Sequence, residues 1–215
     1  MSKADRRFAT AVQHWEAGAI KKAMAIFDAI IDDDALSPSA RAIVCEYVGR
    51  VQIGIGELQT AEVYLQQAVA LNSEDVEHRV QLANCLCLQN RHDEAWEMIR
   101  GLYRHHPDHP AAVHYMGKML DERGRQKEGL KLMKKSIRMD PTNARFYANL
   151  SFTYFMRGNI GAAMVCSEQA LALNPKDGVV KFVHEIASTF EKQEDSQEAH
   201  PQVLNKRIND ASIQS

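Results

Sequence analysis

The strongest constraint on what this chain can fold into is a 34-residue period. It is clearest from Ala144 to Asp177, which reads as two amphipathic helices joined by a tight turn. Tyr147, Leu150, Ser151 and Tyr154 recur at i, i+3, i+4 and i+7 and so share one helical face. Gly158-Asn159 breaks that pattern, because glycine adopts without steric cost the positive φ that ends a helix. A second helix carries Ile160, Ala163, Ser167, Ala170 and Leu171 on its inner side. Asn174-Pro175 stops it, since proline and the residue before it both resist helical continuation. One period earlier, Met116, Gly117, Gly124 and Pro141 take the places of Leu150, Ser151, Gly158 and Pro175. Two periods earlier, Leu82, Ala83, Ala95 and Pro107 stand for Leu150, Ser151, Ala163 and Pro175. Three periods earlier come Val48, Gly49, Gly56, Ala61, Ala68 and Ser73. A two-helix unit of this size cannot bury its apolar face alone, so a run of them must stack on one another.

A small residue at the eighth position, glycine at the fifteenth, alanine at the twentieth and twenty-seventh and proline at the thirty-second resemble the tetratricopeptide (TPR) repeat. The resemblance covers roughly residues 4–190. It implies an all-α, right-handed α-solenoid of about five repeats, over 4–37, 42–75, 76–109, 110–143 and 144–177. The first repeat, with Gly18 in the turn and Ala11, Ala23, Phe27 and Ile30 in core slots, is the least regular. The second begins at Ala42, four residues later than a strict period requires. After the fifth, Val180, Val183, His184 and Ala187 keep helical spacing. The stretch 178–192 therefore looks like the capping helix with which such arrays cover their last apolar face. The sequence then turns polar, and 193–215 is expected to be a mostly disordered tail, with Val203, Leu204 and Ile208 as a candidate docking segment.

Composition narrows the function classes. A formal net charge of −2 gives no basic surface for nucleic acid or an anionic membrane, so neither is expected as a partner. No run of about 18 apolar residues occurs, and the N-terminal residues lack the apolar core of a secretory signal. Cys45, Cys85, Cys87 and Cys166 all fall on expected helices at spacings that suggest no oxidised framework. The expected compartment is the cytoplasm.

Several stretches invite a chemical reading and fail its geometric requirements. Asp32, Asp33 and Asp34 sit at a helix end, where three consecutive carboxylates cannot converge on one cation. His105, His106, His109 and His114 crowd around two prolines that the repeat already explains, and no metal is expected there. Cys85 and Cys87 lie about 200° apart around a helix axis, so they cannot share an ion. Gly54 and Gly56 mimic a phosphate loop, yet no strand precedes them and Gly56 is the turn glycine of its repeat. With no nucleophile elbow or other local catalytic signature, the chain is expected not to be an enzyme and to carry no cofactor.

Function is then expected in the groove. In arrays of the resembled family, the first (A) helices line the concave side and present positions 2, 5, 9, 12 and 13 of each repeat. On this chain those slots hold Ile43, Glu46, Arg50 and Ile53, then Glu77, Val80, Asn84 and Cys87. Ala111, His114, Lys118, Asp121 and Glu122 follow, and after them Arg145, Ala148, Phe152, Phe155 and Met156. Phe182 and Ile186 of the last helix extend the row. The expected peptide-binding residues are Glu46, Arg50, Asn84, His114, Lys118, Asp121, Arg145, Phe152, Phe155 and Phe182. The polar ones suit backbone carbonyls and carboxylates, and the phenylalanines suit an apolar anchor.

One variant of the family grips the C-terminal carboxylate of heat-shock chaperones through a Lys, Asn, Asn, Lys, Arg set. The corresponding slots hold Glu46, Arg50, Gln81, Ala111 and Tyr115 in one register. In the next they hold Val80, Asn84, Tyr115, Arg145 and Asn149, so only fragments match. The expectation is a protein-binding adaptor, scaffold or chaperone-like factor that takes a partner segment in its groove. Two alternatives are a self-assembling homo-oligomer and a regulatory subunit that docks an enzyme through its convex face.

Overall fold

The computed structural model describes residues 3–176 and 178–198. All regular structure among them is helical, in eleven helices. Five hairpins come first: α1 (Lys3–Glu16) with α2 (Ile20–Ile31), α3 (Pro38–Gly54) with α4 (Leu58–Leu71), and α5 (Val76–Leu88) with α6 (His92–His105). They continue as α7 (Pro110–Glu122) with α8 (Gln126–Met139) and α9 (Ala144–Met156) with α10 (Ile160–Leu173). A final helix, α11, spans Gly178–Glu198. This is an all-α solenoid architecture of helix-turn-helix repeats, and it divides into two compact bodies at Ser136/Ile137.

Each hairpin turn has three residues, and its middle residue takes φ between +62° and +84°. Gly18, Gly56, Gly124 and Gly158 fill four of these slots and Asn90 fills the fifth. Asparagine is the non-glycine residue that tolerates this conformation best, so the third repeat keeps its turn without a glycine. The small-residue positions have an equally direct cause. A Cβ on Gly117 would lie 2.8 Å from the Gly129 carbonyl oxygen, and one on Gly129 would lie 2.6 Å from the Gly117 carbonyl oxygen. Here α7 and α8 touch backbone to backbone. In the fifth repeat Ser151 fills the Gly117 slot, and its hydroxyl donates to the Ala163 carbonyl at 2.8 Å.

In the N-terminal body, Ala11, Ala23, Phe27 and Ile30 are buried together with Val44, Val48 and Val51. Phe8 packs on Phe27 and, edge-on at 4.9 Å, on Tyr47, which ties the irregular first repeat to the second. Such aromatic pairs contribute about 1 kcal/mol beyond their buried area. The four-residue offset before Ala42 becomes an extra N-terminal turn of α3. Ser37 caps that turn by accepting from the Ala40 N–H, and Pro38 stands at its first position, where no N–H is needed.

In the C-terminal body, α11 packs on α10 and α9 and buries Val180, Val183 and Ala187. Its His184 is hydrogen-bonded to the Ser167 hydroxyl at 2.9 Å. The helix runs to Glu198, six residues past the boundary expected from sequence. The rest of the expected tail, including Val203, Leu204 and Ile208, lies outside the described residues.

Candidate functional site

The two bodies treat the expected contact residues differently. On α3 of the N-terminal body, the Glu46 side chain is buried and its carboxylate lies 2.7 Å from Nδ1 of the equally buried His78 on α5. Asp75, the N-cap of α5, accepts from the N–H groups of Glu77 and His78 and lies 3.8 Å from the other imidazole nitrogen. Burial alone pushes the His78 pKa down. The hydrogen bond to Glu46 and the charges of Asp75, Glu46 and Glu77 outweigh it and hold the pKa above its ordinary value. Arg50, one turn on from Glu46, is engaged as well. Its guanidinium lies 4.7 Å from the Tyr47 ring centroid and 5.1 Å from that of Trp15, and it reaches Glu46 at 3.7 Å.

His114 on α7 is fully buried and paired with the Ser136 hydroxyl at 2.9 Å, so it presents no surface to a ligand. Glu46 is likewise an internal bridge between α3 and α5. Helical spacing gives each residue a direction around its helix axis and is silent about depth. Asn84, Lys118 and Asp121 are half-buried on α5 and α7. Lys118 reaches Glu122 at 3.8 Å and stands 6.0 Å from the Tyr115 ring centroid.

On α9 and α11 of the C-terminal body the pattern inverts. Phe152 is 50% exposed, Met156 68% and Phe182 62%, while Phe155 and Arg145 are half-buried. Burying one such side chain is worth about 1.5–3 kcal/mol, so leaving three open on two contacting helices forgoes a sizeable stabilisation.

Sequence reasoning passes over two arrangements. One is His78, whose role depends on its neighbour 32 residues earlier and is invisible in local spacing. The other joins Cys87, His92 and Glu122, whose sulfur, nitrogen and oxygen atoms all lie within 4.8 Å of one another. Its members come from three helices, so a search for ligands close in sequence misses it. Cys85, by contrast, donates to the Leu58 carbonyl and takes no part. The four cysteines are free thiols. No described helix is long and apolar enough to cross a membrane.

Tetratricopeptide-repeat family models match residues 54–120 and 132–164. No curated protein matches the chain. Among solved structures it is similar to a thermophilic TPR protein of Thermus thermophilus, with a TM-score of 0.68 and 15% identity, over 86% of this chain and 99% of that one. It is also similar to a chain of the APC/C hetero-tetramer Cut9-Hcn1, with a TM-score of 0.55 and 13% identity, over 86% of this chain and 36% of that one. A third match is MamA of Desulfovibrio magneticus, with a TM-score of 0.50 and 14% identity, over 83% of this chain and 98% of that one. At such identities the likeness speaks for the fold. The period read from the residues, the hairpins built on it and the matched family models agree: the chain belongs to the tetratricopeptide-repeat family.

Proposed function

We propose that this chain is a non-catalytic adaptor of the cytoplasm that holds a segment of a partner protein on the inner faces of its A helices. The observation that carries the reading is the open apolar surface of Phe152, Met156 and Phe182 on α9 and α11. Large exposed aromatic side chains on a helix pair that is otherwise well packed are typical of an interaction surface. The partner segment this surface suits is helical or extended and carries an aromatic or aliphatic anchor. In the N-terminal body by itself, the half-buried Asn84 and Lys118 offer side-chain donors suited to a peptide's carbonyls or carboxylates. TPR proteins are in general scaffolds, and the Cut9-Hcn1 hetero-tetramer is an example of this fold within a protein assembly.

The test is affinity capture from native lysate, with wild type beside Phe152→Ala/Phe182→Ala, Asn84→Ala/Lys118→Ala and Val165→Ser. Val165 is an equally open apolar residue on the B helix α10 and serves as the control. The partner recovered by wild type should bind at least about tenfold more weakly to the phenylalanine pair, as expected for a hot spot. It should bind unchanged to Val165→Ser. Loss with Val165→Ser alone transfers the site to the convex side and the regulatory-subunit reading. Recovery of only the chain itself transfers it to self-assembly.

A further inference from the structure

Where repeats three and four meet, three helix ends converge. Cys87 is the penultimate residue of α5, His92 opens α6 and Glu122 closes α7. The Cys87 sulfur, an imidazole nitrogen of His92 and a carboxylate oxygen of Glu122 lie within 4.8 Å of one another. We propose that these three side chains form a binding site for a divalent zinc-class ion, with water as the fourth ligand. The site is independent of the adaptor reading.

The donor set selects the class of ion. Calcium and magnesium take oxygen ligands, whereas a thiolate, an imidazole and a carboxylate together suit zinc and its tetrahedral neighbours. Ideal tetrahedral coordination would bring the ligand atoms to about 3.3–3.8 Å of one another, from metal–ligand distances of about 2.0–2.3 Å. The required contraction is about 1 Å. His92 and Glu122 are exposed side chains with the freedom to make it. The backbone beneath them is already fixed. Asn90 N–H donates to the Cys87 carbonyl and Arg91 N–H to that of Leu86, both at 2.9 Å, so the α5–α6 turn holds Cys87 and His92 in place. Arg91 reinforces it through Glu62 at 2.7 Å and Glu94 at 2.7 Å.

The Cys87 side chain is half-buried, and a divalent ion would take it as the thiolate, releasing the thiol proton on binding. Two basic groups stand near. Arg123 is paired with Asp93 at 2.6 Å and stacks 4.5 Å over the Trp96 ring, and Lys118 contacts Glu122 only loosely at 3.8 Å. Beside the cluster, His92, Asp93, Met119, Glu122 and Arg123 line a partly open cavity of about 290 Å³. It is large enough to hold water beside the His92 and Glu122 side chains. An ion here would tie the α5–α6 hairpin to α7.

The full reduced chain, free of any histidine tag and stripped with a chelator, is titrated with cobalt(II), and the thiolate-to-cobalt absorption is followed. One cobalt should bind per chain with that band, and one equivalent of zinc should displace it. Cys87→Ser should abolish the band, while His92→Ala and Glu122→Gln should each weaken binding at least about tenfold. Cys166→Ser and His105→Ala/His106→Ala should leave it unchanged. Because His92 and Glu122 are exposed, their variants test the site even if Cys87→Ser loses its helical signal. No band at millimolar cobalt, a band that survives Cys87→Ser, or affinity indifferent to His92→Ala and Glu122→Gln would mean an adventitious ion only and overturn the proposal.

Discussion

The A helices of the two bodies carry opposite anomalies. In the N-terminal body, polar and charged side chains go inward. Glu46 meets His78, Arg50 lies against Trp15 and Tyr47, and His114 meets Ser136. In the C-terminal body, the apolar side chains Phe152, Met156 and Phe182 stay outside. Both bodies are built from the same hairpin with the same small-residue slots, so neither anomaly follows from the repeat. These partnered polar groups join helices: Glu46–His78 links α3 to α5, Arg50–Trp15 links α3 to α1, and His114–Ser136 links α7 to α8. Apolar groups left this open contribute less to the stability of α9 and α11 than they would if buried.

The largest expected effect lies at His78. His78→Ala leaves the Glu46 carboxylate buried, with only Arg50 at 3.7 Å to offset it. Cutting one partner from a buried pair costs about 3–5 kcal/mol, and a urea unfolding curve of the full chain should show a loss in that range. Replacing both partners, as His78→Leu/Glu46→Met, should cost less than the single change, because no charge is then left uncompensated. A loss below about 1 kcal/mol for His78→Ala would mean that the pair holds nothing together.

The same pair sets a smaller, pH-dependent effect. The folded pKa of His78 lies above the ordinary 6.5, so its protonated form is the one that folding favours. That contribution is complete below the unfolded value and is lost as pH rises through the folded one. Unfolding midpoints should therefore fall as pH rises from about 6.5 toward the range in which thiols ionise. The fall should be absent from His78→Ala. A midpoint that rises over this interval would reverse the sign assigned to the Glu46–His78 contact.

How much of this can be read from residues alone depends on the range of the interaction. Turn, cap and small-residue positions are local, and they are legible: Gly56, Gly124 and Gly158 mark turns, and Ala61, Ala95 and Ala163 mark close helix contacts. The offset before Ala42 is visible as a number, but its form, an added turn on α3 capped by Ser37, depends on where the helix finds its first acceptor. Groove positions are legible only as a direction around each helix. Whether a side chain on that side is open, like Phe152, or sealed, like His114, depends on the neighbouring helix and on Ser136 22 residues away. The Cys87, His92 and Glu122 cluster needs three such neighbours at once.

Arg50 has a structural contact where a ligand contact is expected. Its slot is one expected to receive a ligand, but Trp15 and Tyr47 already occupy its guanidinium. If its work is to join α1 to α3, Arg50→Ala should destabilise the chain by about 1 kcal/mol, the scale of a partly exposed cation–π contact, and leave partner binding unchanged. Arg50→Lys should recover only part of the loss, because an ammonium lacks the planar face that stacks on both rings. Partner affinity lost at full stability would return Arg50 to the binding face.

The smallest expected effect is the one that separates the bodies most cleanly. If Phe152 and Phe182 are kept for a partner, replacing both by serine should shift the unfolding free energy by no more than about 0.5 kcal/mol, as for ordinary surface substitutions. Phenylalanines that belonged to the core would cost about 3–5 kcal/mol each when truncated, so the two cases are well separated. Exposure of 50% and 62% places them with the surface, and removing exposed apolar area can even improve solubility. The control lies within the same helix pair. Val183 of α11 is buried, and Val183→Ser should destabilise by well over 1 kcal/mol, because it opens a cavity and buries a hydroxyl. Equal losses for the phenylalanine pair and Val183→Ser would show that the aromatic face is covered by this chain itself. A loss confined to Val183→Ser leaves the phenylalanines without a structural duty, and binding is then the remaining reason for their exposure.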